Sequence, residues 1–350
     1  MARAGVVASV AVIARRIAAA GFALAFALFA LFALFAVPPV LADTALDQSA
    51  AGGGWVREGS FDGVSRRWLQ FGFDPIRGEA DRPPRAIIVL LHGNGGSAEE
   101  LLGIGGVPAA PYGQWLEIGR REQLVLLAPD GAPGSNGRRG WNDCRSDAAT
   151  NPATADTDFL MSLIAAQRQR YPGTRIPAFV VGTSNGGNMA LRLAIERPQQ
   201  LGGVAAIVAA MPAKSECPPP TRPINVLFMN GTADPVLPYQ GGAVGAGPSF
   251  RGTVLSTAQS VDLWRGLNGS RDRPQHFKLP DLDRNDGSRV DRYLWSGQSR
   301  AEVILYRVNG GGHTAPSRAA RIAAPALQNG DIESADVIWN HFSKWMEQNR

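Results

Sequence analysis

The stretch AFVVGTSNGGNMALRL, residues 178–193, decides the fold of this chain. It begins with a short apolar run that stops at Gly182, as a buried strand does, and it ends in residues that favour helices. Between these parts, Gly182, Ser184 and Gly186 have the G-x-S-x-G spacing of a nucleophile elbow, a sharp strand-to-helix turn that exposes a serine hydroxyl. Glycine suits the flanking positions because a side chain there would collide with neighbouring backbone. The match alone is weak, so its meaning depends on the rest of the chain.

Apolar runs on both sides of this stretch predict further strands and helices. Continuous runs are typical of strands buried on both faces, and amphipathic spacing is typical of helices that cover a sheet. The predicted strands are residues 65–73, 86–91, 124–128, 178–181, 204–208, 224–229, 290–295 and 301–308, the first of them an edge strand. The predicted helices, besides the one after the elbow, are residues 112–121, 157–170, 257–267 and 334–346. This alternation predicts an α/β fold with a mostly parallel, doubly wound sheet flanked by helices.

The first 42 residues predict a secretory signal peptide. Three arginines and no acidic residue accompany a long apolar run, and the V-L-A of residues 40–42 offers a cleavage site. The run is about long enough to cross a bilayer, so a retained anchor is the alternative. The Arg15-Arg16 pair leaves the twin-arginine export route open. We expect residues 43–350 to form a single secreted or periplasmic domain with no membrane contact after cleavage.

Charge and cysteine content limit the partners and the compartment. The chain carries a formal charge of +5, and without the three leader arginines +2 remains on 308 residues. No basic run with interleaved aromatic residues is present, so we expect no nucleic-acid partner. In an exported chain the two cysteines, Cys144 and Cys217, predict a disulfide, with two separate buried thiols as the alternative.

A serine hydroxyl becomes a good nucleophile only when a base removes its proton, and the chain offers four histidines. His313, in the turn NGGGHTAP after the last predicted strand, is the best candidate because that turn can reach the top of the sheet. His92 belongs to LLHGNGG and is expected to shape that loop. His276 lies in a polar stretch, and His341 lies off the apolar stripe of the final helix, where we expect it to face solvent.

The base needs a carboxylate that fixes its tautomer, and the developing oxyanion needs hydrogen-bond donors. Asp234, in NGTADPVLPY, follows a buried strand, whereas its rivals Asp262 and Asp286 lie in a predicted helix and a turn-rich loop. For the oxyanion we expect the backbone N–H of Asn185, directly after the serine. The second donor is expected from Asn94 in the loop HGNGG, with either neighbouring glycine as the alternative.

Six segments together resemble the secreted polyhydroxybutyrate depolymerase and feruloyl esterase family of serine esterases: LLHGNGG, GWNDC, DFL, GTSNGGNM, NGTADPVLPY and GGGHT. The resemblance implies an α/β-hydrolase fold, in which the serine, the aspartate and the histidine occur in this order, and ester hydrolysis without metal or cofactor. It further implies that Trp141 and Asn142 line the acyl side of the pocket, and that Tyr239 can do the same from the loop after Asp234. Trp141 fits equally well as a core aromatic that anchors a glycine-rich loop.

The sequence therefore predicts an exported serine esterase that works through an acyl-enzyme. Its expected substrates are small or oligomeric esters, either hydroxybutyrate-type oligoesters or feruloyl and short-acyl esters. Two alternatives stay open: a non-catalytic binding protein on a hydrolase scaffold, and a serine peptidase of the same fold. The sequence makes no prediction of oligomeric state.

Overall fold

The computed structural model describes residues 42–43, 48–50, 54–72, 82–106, 111–270, 273–322 and 327–348. All of the predicted signal peptide except Ala42 lies outside these residues. Within them, every helix falls short of the length and hydropathy that crossing a bilayer requires.

The described strands and helices alternate along the chain. The strands are β1 (Ala42–Asp43), β2 (Gln48–Ala50), β3 (Gly54–Phe61), β4 (Val64–Gly72), β5 (Ala86–Leu91), β6 (Leu124–Pro129), β7 (Ala132–Pro133), β8 (Arg139–Gly140), β9 (Ala178–Thr183), β10 (Gly203–Ile207), β11 (Val226–Gly231), β12 (Gly242–Ala243), β13 (Thr253–Val254), β14 (Gln275–Lys278), β15 (Arg289–Ser296) and β16 (Glu302–Asn309). The α-helices are α1 (Ala98–Leu102), α2 (Gln114–Glu122), α3 (Asp156–Gln169), α4 (Asn185–Glu196), α5 (Thr257–Asn268) and α6 (Ser334–Gln348).

Six parallel strands form the centre of the main sheet, in the order β6-β5-β9-β10-β11-β16. Antiparallel strands extend it on both sides, with β4 beside β6 and β15 beside β16. Because parallel strands end at the same edge, the loops after β5, β9, β11 and β16 all emerge there. The chain leaves β5 for β6 on one side and returns to β9 on the other, and such a reversal opens a crevice between neighbouring loops. The predicted doubly wound α/β sheet is confirmed.

Both faces of the sheet are buried, because side chains of the central strands alternate between two cores. In β5, Ile87 and Val89 point into the core under α3, α4 and α5, whereas Ile88 and Leu90 point into the core under α2 and α6. On the second face, Phe342 of α6 stacks on Phe179 of β9 with ring centroids 4.4 Å apart. Packing of helices on both faces holds the strand ends in fixed positions, and therefore also the loops that follow them.

The prediction that residues 65–73 form an edge strand is wrong. The strand is present as β4, but it pairs with β3 on one side and β6 on the other. The two-residue turn between β3 and β4 is Asp62-Gly63, both with positive φ, 50° and 72°. An Asp-Gly turn is a strong hairpin signal. The strand before it, β3, gives no continuous apolar run because polar residues interrupt it, and the hairpin was not predicted for that reason. The outer strand β14 was also missed, because all four of its residues are exposed and give no apolar run.

The prediction that His341 faces solvent is also wrong. Its ring is buried against β16, where Nε2 lies 2.9 Å from the hydroxyl oxygen of Tyr306. Burial lowers the pKa of His341 to about 4, and the positive charges of Arg292 and Lys344 act in the same direction. The histidine is therefore neutral in the folded protein at neutral pH.

The predicted disulfide is present. Cys144 and Cys217 are bonded, and the bond joins the loop after β8 to the loop after β10 across a sequence separation of 73 residues. Backbone hydrogen bonds support this junction, from Glu216 N–H to the carbonyl of Cys144 and from Ser146 N–H to the carbonyl of Lys214. The loop after β8 thus has a covalent tie to the body of the sheet.

Replacing both cysteines by alanine should lower the free energy of unfolding by up to about 4 kcal/mol, because the cross-link removes entropy from the unfolded chain. Urea unfolding of the oxidised protein and of the Cys144→Ala/Cys217→Ala variant measures this. Dithiothreitol should shift the wild-type midpoint toward that of the variant and leave the variant unchanged. Equal midpoints for the two oxidised proteins would contradict the expectation.

His341 should make stability depend on pH between about 6.5 and 4. The unfolded histidine takes up a proton near its ordinary pKa of 6.5, whereas the folded one stays neutral down to about 4. Its contribution is therefore complete above pH 6.5 and is lost as the pH falls, by up to about 3 kcal/mol. Urea unfolding at pH 7 and at pH 4.5 should show a smaller loss for His341→Gln than for the wild type. A loss of the same size in both proteins would be evidence against this origin.

Candidate active site

The elbow between β9 and α4 holds Ser184 in a strained conformation, with φ 55° and ψ −122°. Two close backbone approaches leave no room for side chains around it. A Cβ on Gly182 would overlap the carbonyl of Gly186, and a Cβ on Gly186 would lie 2.5 Å from the carbonyl oxygens of Leu91 and His92. Strain of this kind persists only where the surrounding structure enforces it, and it is typical of functional positions.

Ser184, His313 and Asp234 come together at the carboxyl edge of the sheet. The Oγ of Ser184 lies 3.0 Å from Nε2 of His313, and Nδ1 of the same ring lies 2.7 Å from Oδ2 of Asp234. The other carboxylate oxygen of Asp234 accepts from the N–H groups of Val236 and Leu237, each at 2.8 Å. These partners fix the tautomer with the proton on Nδ1, so Nε2 is free to accept the proton of the serine.

The loop after β5 lies directly against the elbow, as expected for an oxyanion hole. The N–H groups of Asn185 and Asn94 donate to no other group in the part of the chain that the structure describes. The N–H of Gly95 is occupied, because it donates to the carbonyl of Arg139 at 2.6 Å. Of the two glycine alternatives to Asn94, Gly93 is therefore the one whose N–H has no acceptor among the described residues.

The side chain of Asn185 has a structural role that the sequence did not reveal. Its Oδ1 accepts from the N–H of Trp141 at 2.7 Å, and its Nδ2 donates to the carboxylate of Asp143 at 2.6 Å. Arg145 pairs with the same buried carboxylate through Nε and Nη2. This network ties the first residue of α4 to the disulfide-bonded loop, since Cys144 lies between its two charged members.

His92 is buried beneath the oxyanion loop and is held on both sides. Its Nε2 accepts from the N–H of Gly131 at 2.8 Å, so the proton lies on Nδ1, which donates to the carbonyl of Gly93 at 2.7 Å. Burial lowers the pKa of His92 and keeps the ring neutral. The predicted loop-shaping role of His92 agrees with these contacts.

The three predicted pocket residues make contacts with the scaffold. Trp141 has no exposed surface, and its Nε1–H donates to the carbonyl of His92 at 2.9 Å. This geometry supports the anchoring role and not the pocket-lining role. Asn142 bonds to the scaffold, with its N–H on Asp156 at 2.7 Å. Tyr239 lies under the guanidinium of Arg307, 5.8 Å from ring centroid to Cζ.

The alternative candidates for the carboxylate and the base have partners away from Ser184 in sequence and hydrogen bonding. Asp262 pairs with Arg265 on the exposed side of α5, and Asp286 accepts from the N–H groups of Ser288 and Gly330. His276 forms a second His–Asp pair with Asp291 at 2.9 Å, on the outer hairpin of the sheet. Among the described residues, no cluster of three or more His, Cys, Asp or Glu side chains is placed to hold a metal ion.

Sequence reasoning missed two arginines at the site. Arg145 directly follows the quoted segment GWNDC. An acidic and a basic residue on either side of Cys144 are a usable signal of an ion pair in the cysteine-bonded loop. Arg251 lies in the segment between β12 and β13 and donates from Nη1 to Oδ1 of Asn94 at 3.1 Å. These two residues are 157 positions apart, and nothing in a polar loop sequence indicates such a contact.

Removing the side chain of Asn185 should destabilise the protein and slow any reaction at the elbow. Asn185→Ala leaves the buried backbone N–H of Trp141 without its acceptor and removes one hydrogen bond from the carboxylate of Asp143, which keeps Arg145. This should cost about 2 kcal/mol of unfolding free energy. The N–H of residue 185 would then be less well fixed, so kcat should fall more than KM changes. Urea unfolding and steady-state kinetics on p-nitrophenyl acetate test both effects. Wild-type stability together with wild-type kcat would refute the role of this network.

Comparison with known proteins agrees with this site. Residues 78–246, which include Ser184 and Asp234 but not His313, match the phospholipase/carboxylesterase family. A relative named esterase NocK, from Nocardia uniformis subsp. tsuyamanensis, is 29% identical over 241 residues, 66% of this chain and 66% of NocK. The chain thus spans about two thirds of NocK. A relative named feruloyl esterase C, from Aspergillus niger, is 25% identical over 260 residues, 74% of this chain and 78% of that protein.

Among solved structures, a thermostable esterase aligns with a TM-score of 0.45 at 13% identity, covering 84% of this chain and 62% of its own. An acetyl xylan esterase from Aspergillus awamori aligns with a TM-score of 0.45 at 14% identity, covering 71% and 89%. Together the sequence matches and the strand order support an α/β-hydrolase fold, and residues 78–246 are similar to the phospholipase/carboxylesterase family.

Proposed function

We propose that this chain is an exported serine esterase that hydrolyses carboxylic esters through an acyl-enzyme. The observation that carries the proposal is the hydrogen-bonded line from Asp234 through His313 to Ser184, with distances of 2.7 Å and 3.0 Å. A non-catalytic binding protein would have no need of a strained serine aligned with a base. The disulfide supports export, because such bonds persist in oxidising compartments.

The reaction follows from the positions of these groups. Nε2 of His313 takes the proton of Ser184 as Oγ attacks the ester carbonyl, and Asp234 holds the imidazole and stabilises its positive charge. The N–H groups of Asn185 and Asn94 hold the oxyanion. His313 then protonates the leaving alcohol, and the acyl group stays on Ser184. A water molecule, deprotonated by the same imidazole, releases the acid and restores the serine.

Two substrate classes fit this proposal: hydroxybutyrate-type oligoesters and feruloyl or short-acyl esters. The relative named feruloyl esterase C favours the second, and the resemblance of the six sequence segments includes both. A hydrolysis panel of p-nitrophenyl acetate, p-nitrophenyl butyrate, methyl ferulate and hydroxybutyrate oligomers separates them by kcat/KM. Including a peptidyl p-nitroanilide in the panel tests the peptidase alternative.

Ser184→Ala should abolish both hydrolysis and labelling by a fluorophosphonate, since both require the nucleophile. Asp234→Asn should lower kcat by about 10⁴-fold, because the amide favours the wrong tautomer of the imidazole. His276→Gln is the matched control: it removes a histidine from the exposed His–Asp pair and should leave both readouts unchanged. No hydrolysis by the wild type of any ester in the panel, with no labelling, would refute the esterase and favour the binding protein.

A further inference from the structure

Two arginines without carboxylate partners lie beside the predicted oxyanion loop. Arg251 is half-buried, and in the described part of the chain its side chain makes one hydrogen bond, from Nη1 to Oδ1 of Asn94 at 3.1 Å. Arg138 packs its guanidinium over Gly95 in the same loop, where a Cβ would collide with it. In the described residues neither arginine forms an ion pair. Positive charge therefore accumulates beside Asn94 and Gly95 of that loop.

Three other arginines of low exposure have carboxylate partners, whereas the half-buried Arg168 donates to two backbone carbonyls. Arg66 pairs with Asp156 at 2.6 Å, Arg145 with Asp143 at 2.6 Å, and Arg192 with Glu196 at 3.0 Å. A partly desolvated cation without an anion is unfavourable unless a partner arrives from outside the protein. Burial, and then the like charges of Arg138 and Arg145, lower the pKa of Arg251, and the charge of Arg145 is already balanced by its own carboxylate partner.

The position of Arg251 is fixed by the same loop that carries the disulfide. Arg145 donates from Nη1 to the carbonyl of Arg251 at 2.5 Å, and Asp147 accepts from the N–H and the hydroxyl of Thr253. Hydrogen bonds thus hold Arg251 at its backbone carbonyl and, through Asn94, at its guanidinium. Its Nε and Nη2 groups donate to nothing in the described residues, so a planar anion could bind them in a bidentate manner.

We propose that Arg251, with Arg138 beside it, binds a carboxylate carried by the ester substrate, a few bonds from the scissile carbonyl. This inference rests on the proposed esterase function and narrows it to acidic esters, such as an oligoester with a free acid end. The alternative is that Arg251 only positions Asn94. The two roles differ in the expected effect of replacing Arg251 on a neutral ester. Loss of a positioning residue would lower kcat/KM on neutral and acidic esters equally, whereas loss of a carboxylate-binding residue would lower it mainly on acidic esters.

The test compares monomethyl esters of succinate, glutarate and adipate with the matched dimethyl esters, by initial rates in a pH-stat at pH 7.5. The wild type should prefer at least one monoester, and the preference should weaken with added salt. Arg251→Gln should lower kcat/KM on that monoester by about tenfold or more, as expected for the loss of a charged hydrogen bond. It should change kcat/KM on the diester much less. Arg138→Gln should also lower kcat/KM on the monoester more than on the diester, by a smaller factor than Arg251→Gln.

Arg284→Gln is the matched control, since this exposed arginine lies in the loop before β15, away from the oxyanion loop, and should change neither rate. Thermal unfolding checks that each variant is folded. An equal fall on monoester and diester in Arg251→Gln would show a positioning residue and overturn the proposal, as would a wild type with no monoester preference. A wild type that hydrolyses p-nitrophenyl acetate but no monoester refutes the carboxylate site alone. A wild-type protein that hydrolyses no ester at all refutes the proposed esterase function, and the carboxylate site with it.

Discussion

The structure depends on the close contact between the backbone of Gly186 and the end of β5. With the carbonyl oxygens of Leu91 and His92 only 2.5 Å from where a Cβ would stand, glycine alone permits this approach. The contact presses the first turn of α4 against the loop after β5. The loop after β5 then lies beside the serine, since a Cβ on Gly93 would stand 3.4 Å from the Cβ of Ser184. The contact also helps to hold the serine at a positive φ that a free chain would avoid.

A second set of interactions connects this contact to the periphery. The carboxylate of Asp143 is shared by Asn185 on α4 and by Arg145, whose other end holds the backbone of Arg251. Cys144 lies in the middle of this arrangement and is bonded to Cys217. Buried networks of this kind are costly when one member is missing, so their parts act as a unit. The network therefore connects the first residue of α4 to the disulfide-bonded loop.

The sequence was informative wherever a reactive residue directly follows an apolar strand. Ser184, Asp234 and His313 each follow such a strand, and parallel pairing brings the three strand ends to one edge. It was uninformative where the environment comes from another part of the chain. His341 is buried because β16 lies beneath it, and Trp141 is buried because two loops close over it. No local pattern specifies such neighbours, and for the same reason the exposed strand β14 escaped notice.

The groups that would perform the chemistry and the charges that surround them belong to different parts of the fold. The former stand at the ends of long central strands, whereas Arg138 and Arg251 are carried by the short ribbons β7–β8 and β12–β13. Such ribbons can accept changes of length and composition that the packed strand ends would not tolerate. Changes in these ribbons could therefore alter the charge beside the loop after β5 while the strand ends that carry Ser184, Asp234 and His313 stay unchanged.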